Sequence, residues 1–184
     1  MNLADKLSAV EPFELATQLS LHIYTPAWWK IRDDLHKVPL HLRIAILVLD
    51  FDTEVAMSGL LGFLENSTGR YLKETVNALA LIEAPRSSLA LKSVVAMARK
   101  YRVSFLFPRA KRPTGRPSPT TQFHDLPEKQ QDKLSEGISK VGRFFTCDDT
   151  GPEPLRKLLA VYAARHRRGI IGAISKLSLQ GRSG

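Results

Sequence analysis

The sequence predicts an all-α, single-domain protein of about seven to nine helices, and three observations carry that prediction. Residues 44–66, IAILVLDFDTEVAMSGLLGFLEN, are too densely apolar to alternate as a half-buried strand does. They contain no proline, which leaves one long helix or two helices in series. Other stretches repeat apolar residues at spacings of three and four, with prolines at their boundaries. At 184 residues and 43% hydrophobic, the chain can bury one sizeable core and is most simply one domain.

Residues 2–10 and 12–23 read as two short amphipathic helices. Pro12 is early in the second, and Phe13, Leu15, Ala16, Leu19 and Ile23 form its apolar side. Thr25 is placed to cap TPAWWKIRDDLHKV. Trp28, Ile31 and Leu35 recur on one side of it, so Trp28 points inward and Trp29 lies nearer the surface, as packing or as an interaction anchor. Pro39 opens the helix that runs into the central stretch. At 100° per residue Ile44, Val48, Phe51, Val55, Gly59 and Gly62 fall on one stripe, which leaves a narrow polar sector with Asp50, Glu54 and Glu65. Arg43 is one candidate partner for Asp50. Gly59 and Gly62 on the apolar stripe are expected to admit a neighbouring backbone. Asn66 is expected to end the helix in the left-handed conformation and Ser67 to cap the next.

That next helix covers about 68–83 with Leu72, Val76, Leu79 and Ile82 on one side, and Ala84-Pro85 ends it. Another begins near Ser87 or Ser88 and turns Leu91, Val94, Val95 and Ala98 inward. Residues 103–107 either finish that helix or form a short extended piece. Residues 108–124 hold four prolines, one glycine and no acid, so they read as an exposed basic loop. Leu126–Phe145 carries a weak stripe of Leu134, Ile138, Val141 and Phe145. Leu155–Arg165 is a final core helix with Leu158, Leu159, Val161 and Tyr162. The domain therefore spans 1–166. Residues 167–184 form a basic, partly disordered tail whose Ile170, Ile174 and Leu177 suit docking on its own domain, a partner chain or an anionic membrane surface.

The run EVAMSGLLGFLENSTG followed by ALALIEAP resembles the signature of the DNA-mimic protein family, a bacterial domain. That signature reads roughly E-V-x-N-G-G-F-x-Q-F-F-x-N-S-x-G and then A-L-x-x-I-G-A. Glu54, Val55, Gly59, Phe63, Asn66, Ser67 and Gly69 match it, as do Ala78, Leu79, Ile82 and Ala84. Met57, Ser58, Leu60, Gly62, Leu64 and Glu83 depart from it, Glu83 standing where the signature has glycine. The similarity extends loosely over residues 28–166. The resemblance implies a protein that binds another protein and regulates or neutralises it, immunity to a toxin being one form of that activity.

Charge speaks against simple mimicry. The formal net charge is +9 and the pI about 9.9, so this is a diverged, basic member of such a family, and a poor imitation of DNA as a whole. Residues 1–98 hold nine Lys/Arg and eleven Asp/Glu; residues 99–184 hold eighteen and seven. Arg99, Lys100, Arg102, Arg109, Lys111, Arg112 and Arg116 fall in one stretch without a carboxylate, which makes nucleic-acid binding by that stretch and the tail the alternative function. That stretch has no interleaved aromatics for base stacking.

No catalytic motif is present: there is no G-x-S-x-G elbow, no phosphate-binding glycine loop and no H-E-x-x-H. The five histidines are scattered, and the lone Cys147 beside Asp148 and Asp149 has no sign of a lowered thiol pKa. The expectation is a non-enzymatic interaction module with no cofactor or metal. Its candidate interaction residues are Asp50, Glu54, Glu65 and Trp29, and its partner is another protein, with a second copy of the chain also a candidate. The opening residues lack a secretory signal and the longest apolar run, Ile44–Leu49, is too short to span a membrane, so a cytoplasmic location is expected.

Overall fold

The computed structural model describes residues 3–105, 121–145 and 153–180. Among them are nine α-helices: α1 (Leu3–Ala9), α2 (Leu15–Ile23), α3 (Pro26–Asp33), α4 (Leu40–Glu65), α5 (Leu72–Leu81), α6 (Pro85–Lys100), α7 (Glu128–Gly142), α8 (Leu155–Arg165) and α9 (Arg167–Gln180). The all-α expectation holds. Extended structure among the described residues is confined to β1 (Val103–Ser104) and β2 (Thr121–Gln122), paired in parallel as Val103↔Thr121 and Ser104↔Gln122. Residues 103–104 are thus the extended alternative. Of the loop 108–124, only the part from Thr121 onward lies within the described residues, and Cys147 lies outside them. No helix among the described residues is long and apolar enough to cross a membrane.

α4 is the axis of the molecule, touching α2, α5, α7, α8 and α9. Every residue from Ile44 to Phe51 is buried, because a helix apolar on all sides is covered on all sides. Beyond Phe51 the cover thins, and Ala56 to Gly59 are exposed. The division between wet and dry therefore runs along the helix and not down one sector. Phe51 packs edge-to-face against Phe63 and Phe145, each with centroids 5.0 Å away, which ties both halves of α4 to the end of α7. Trp28 is buried and Trp29 exposed, as expected, whereas Val161 is 43% exposed instead of core.

The glycines of α4 act differently from the expectation. Gly59 takes φ 70 and ψ 178 and breaks the helix, and a Cβ there would meet nothing within 4 Å. Its use is conformational: that region is open essentially to glycine alone. Gly62 is crowded by its own helix, at the Ser58 Cβ. Asn66 ends α4 in an extended conformation (φ −73, ψ 164), not a left-handed one, and a 3-10 turn, Ser67–Tyr71, precedes α5 with no side-chain cap from Asn66. Thr25 sits at the N-cap position of α3, but its hydroxyl donates back to the His22 carbonyl.

α5 closes with the two hydrogen bonds of a Schellman turn, Glu83 N–H to the Ala80 carbonyl and Ala84 N–H to the Leu79 carbonyl. This forces Glu83 to φ 65, the conformation for which glycine is the usual residue. Glu83→Gly is expected to raise stability by about 1 kcal/mol in a thermal or denaturant melt, even though it removes the exposed ion pair of Glu83 with Arg165. The first free N–H groups of α6 are taken by a carboxylate far along the chain. Glu153 accepts from Arg86 N at 2.9 Å and Ser87 N at 2.6 Å.

The segment from 167 continues the domain as far as the described residues go: α9 buries Ile170, Ala173 and Ile174 against the core. Its docking has a polar cause as well, since Arg167 donates to the Leu7 and Ser8 carbonyls at the end of α1. At the α8–α9 elbow His166 stacks on His41 with ring centroids 4.0 Å apart, and His41 Nδ1 is 2.9 Å from the Tyr162 hydroxyl. Desolvation, then the charges of His41 and Arg165, hold the His166 imidazole below its usual 6.5. A depressed imidazole pKa means the unfolded chain takes its proton first, so this contribution to stability is present above 6.5 and lost as pH falls below it. The melting temperature is therefore expected to fall further between about pH 7.5 and 5.5 in the native chain than in His166→Gln.

Candidate functional site

α3, the middle of α4 and the 3-10 turn after it converge on a polar pocket of about 250 Å³ lined by Trp29, Arg32, Asp50, Thr68, Arg70 and Tyr71, among others. Each element is held there by a specific bond. The Tyr71 hydroxyl accepts from Leu35 N at 3.0 Å and donates to the Asp33 carbonyl at 3.2 Å, fastening the turn to the end of α3. Gly69 lets the turn fold onto α4, for a Cβ there would lie 2.4 Å from the Leu64 carbonyl oxygen.

Asp50 forms the floor. Its side chain is 5% exposed and its two oxygens take the Arg32 guanidinium, Nη2 at 2.7 Å and Nε at 3.3 Å. Placing Asp50 on an open polar edge is thereby corrected: α3 covers it and Arg32, not Arg43, neutralises it. Burial pushes its carboxyl above the usual 3.8, and the Arg32 charge pulls against that rise. The neighbouring Tyr24 hydroxyl is raised as well, first by burial and then by the Asp50 charge. Arg32 also stacks over the Tyr24 ring at 4.7 Å.

Glu54, one turn beyond Asp50, accepts a hydrogen bond from the Asn66 side-chain amide, which ties the two sides of the Gly59 break together. Arg70 donates to the Arg32 carbonyl at 2.9 Å and reaches the 66% exposed Asp33 carboxylate at 3.4 Å. The Thr68 hydroxyl, buried at the pocket wall, has no hydrogen-bond partner. Trp29, 59% exposed, stands at the rim.

The structure thus brings Trp29 and Asp50 to one pocket, puts Glu54 one turn further along α4 against Asn66, and leaves Glu65 elsewhere, 2.9 Å from His124 Nε2. Of the motif residues, Val55, Phe63 and Gly69 are buried, while Gly59, Asn66 and Ser67 are exposed beside the pocket or the helix break. Arg32, Arg70 and Tyr71 escape sequence reasoning. Arg70 directly follows the motif glycine and could have been suspected; Arg32 is 18 residues from its partner and carries no local signal. Of the basic stretch, Arg99, Lys100 and Arg102 are exposed at the end of α6 and before β1, and Arg109, Lys111, Arg112 and Arg116 lie outside the described residues. No group of three or more metal-ligating side chains occurs among the described residues.

A family model described as DMP19-like protein matches residues 36–166, which includes α4, the 3-10 turn and α5 through α8. No curated protein and no solved structure matches.

Proposed function

The chain belongs to the DMP19-like protein family, and from that premise we propose that it is a non-enzymatic module that binds a DNA-binding protein and regulates or neutralises it. The observation that carries this reading is Trp29, exposed at the rim of a pocket that the Asp33 carboxylate also lines, with Glu54 one turn along α4 from Asp50. A large exposed aromatic beside a rigid polar cluster has the make-up of a binding hot spot. The site is preorganised, since Arg32, Arg70 and Asn66 hold Asp50, Asp33 and Glu54 in place before any partner arrives. Met57, 78% exposed near the break in α4, adds a flexible apolar contact. Imitation of DNA would then be local, confined to this face, in a chain whose overall charge is positive.

The reading is tested on a DNA-binding protein that co-purifies with the chain. Trp29→Ala is expected to weaken that complex about tenfold or more, and Asp33→Lys to slow its formation. Duplex DNA carrying the partner's site should displace the chain. Unchanged affinity in both variants would exclude this face, and a complex indifferent to DNA would exclude mimicry.

A further inference from the structure

We propose that the groove between α5 and α6, next to β1, is a second docking surface, built for an acidic amphipathic segment of a partner protein. The groove has a volume of about 680 Å³. Leu72, Val95, Ala98 and Val103 supply its apolar lining, a surface that rewards aliphatic side chains. Lys73, Arg99 and Arg102 supply cations, and among the described residues none of the three is paired with a carboxylate. Glu74 is the acid present, and it lies 4.0 Å from His36 Nε2. Apolar lining and basic rim together select an occupant that offers leucine-like side chains on one face and carboxylates on the next. A nucleic-acid strand would need aromatic platforms, and the lining has none.

Arg102 adds an independent indication. It caps α6 with φ 51, its N–H bonded to the Arg99 carbonyl, a position where glycine is the ordinary residue. An arginine there holds the backbone in a disfavoured conformation and keeps a cation on the groove, as expected where binding and not stability sets the residue. Arg70 lines both this groove and the Trp29 pocket, whereas Lys73, Arg99 and Arg102 line the groove and not that pocket, so variants at those three test it separately from the Trp29 face.

The test uses the full chain and a fluorescent 15-residue helix-forming peptide with leucines on one face and glutamates beside them. A scrambled peptide of the same composition and a 15-nucleotide single strand serve as comparisons. The patterned peptide is expected to bind at least tenfold tighter than the scrambled one, with affinity falling as salt rises. Arg102→Gly should weaken binding at least fivefold while leaving the melting temperature equal or higher, which separates lost contact from lost fold. Lys73→Glu should weaken it further, and Trp29→Ala should leave it unchanged. Equal binding of the scrambled peptide, preference for the oligonucleotide, or unchanged affinity in both Arg102→Gly and Lys73→Glu would each overturn the proposal. Self-association of the chain that Arg102→Gly abolishes would assign the groove to a second copy and overturn it as well.

Discussion

Arg32→Ala is expected to lower the free energy of unfolding by about 3 kcal/mol at neutral pH, read from the denaturant midpoint. Asp50 is nearly closed off from water, and both its oxygens rely on the Arg32 guanidinium. Removing that partner leaves a buried carboxylate with its solvation lost and only the Tyr24 hydroxyl in return. Arg32 itself is 19% exposed, which places the cost toward the lower end of what a broken buried pair commonly shows.

The pH dependence of this loss follows from Asp50. Burial raises its carboxyl in the folded state above the ordinary 3.8, so the folded chain holds that proton more tightly than the unfolded chain. Stability from this group is complete below the unfolded value and declines as pH rises through the folded one. Without Arg32 only the hydrogen bond from the Tyr24 hydroxyl opposes the rise, and the native-minus-variant difference should shrink as pH is lowered toward about 4. Arg32→Met combined with Asp50→Leu should recover most of the loss, because it removes both charges and refills the space. A cost below about 1 kcal/mol for Arg32→Ala would mean that water screens the pair and that the pocket is not preorganised by it.

Gly69→Ala is the second large effect, a loss of about 3 kcal/mol or failure to fold. The new Cβ would sit 2.4 Å from the Leu64 carbonyl oxygen and 2.6 Å from that of Phe63. Both atoms belong to the last turn of α4, where the Phe63 and Leu64 side chains are locked in the core. Neither can withdraw without pulling core packing with it. Gly59→Ala offers the contrast: its surroundings are empty, so its cost comes from φ 70 and ψ 178 alone, about 1–3 kcal/mol. Thermal melts of the two variants with far-UV circular dichroism check both. If Gly69→Ala proved no costlier than Gly59→Ala, the turn would have to be softer than its contacts indicate.

Of the candidate site, the sequence disclosed its members unevenly. The three-and-four spacing of Trp28, Ile31 and Leu35 places Trp29 at the surface, since a helix that turns Trp28 inward must turn its neighbour away. Asp50 falls on the wrong surface in the sequence pattern for an equally definite reason. Periodicity puts Asp50 and Glu54 in one sector because they are a turn apart, but it has no knowledge of which segment will lie over that sector. Here α3 lies over Asp50 and leaves Glu54 partly open. Gly59 and Gly69 both stand in the motif, yet one is needed for its dihedral angles and the other for its lack of a side chain, a distinction visible only when the neighbours are in place.

The order of helices, the α8 limits of Leu155 and Arg165, and the helical character of the central stretch were determined by the sequence alone, while the break at Gly59 was not. Each depends on proline positions and apolar spacing within a few turns, where backbone geometry leaves little choice. The tertiary structure alone decided which polar groups lose their water and which partner compensates them: Asp50 with Arg32, Glu153 with the start of α6, and Arg167 with the end of α1. Those partners are separated by 18 to 160 residues, and desolvation is a property of everything packed around a group. No local pattern of residues can encode it.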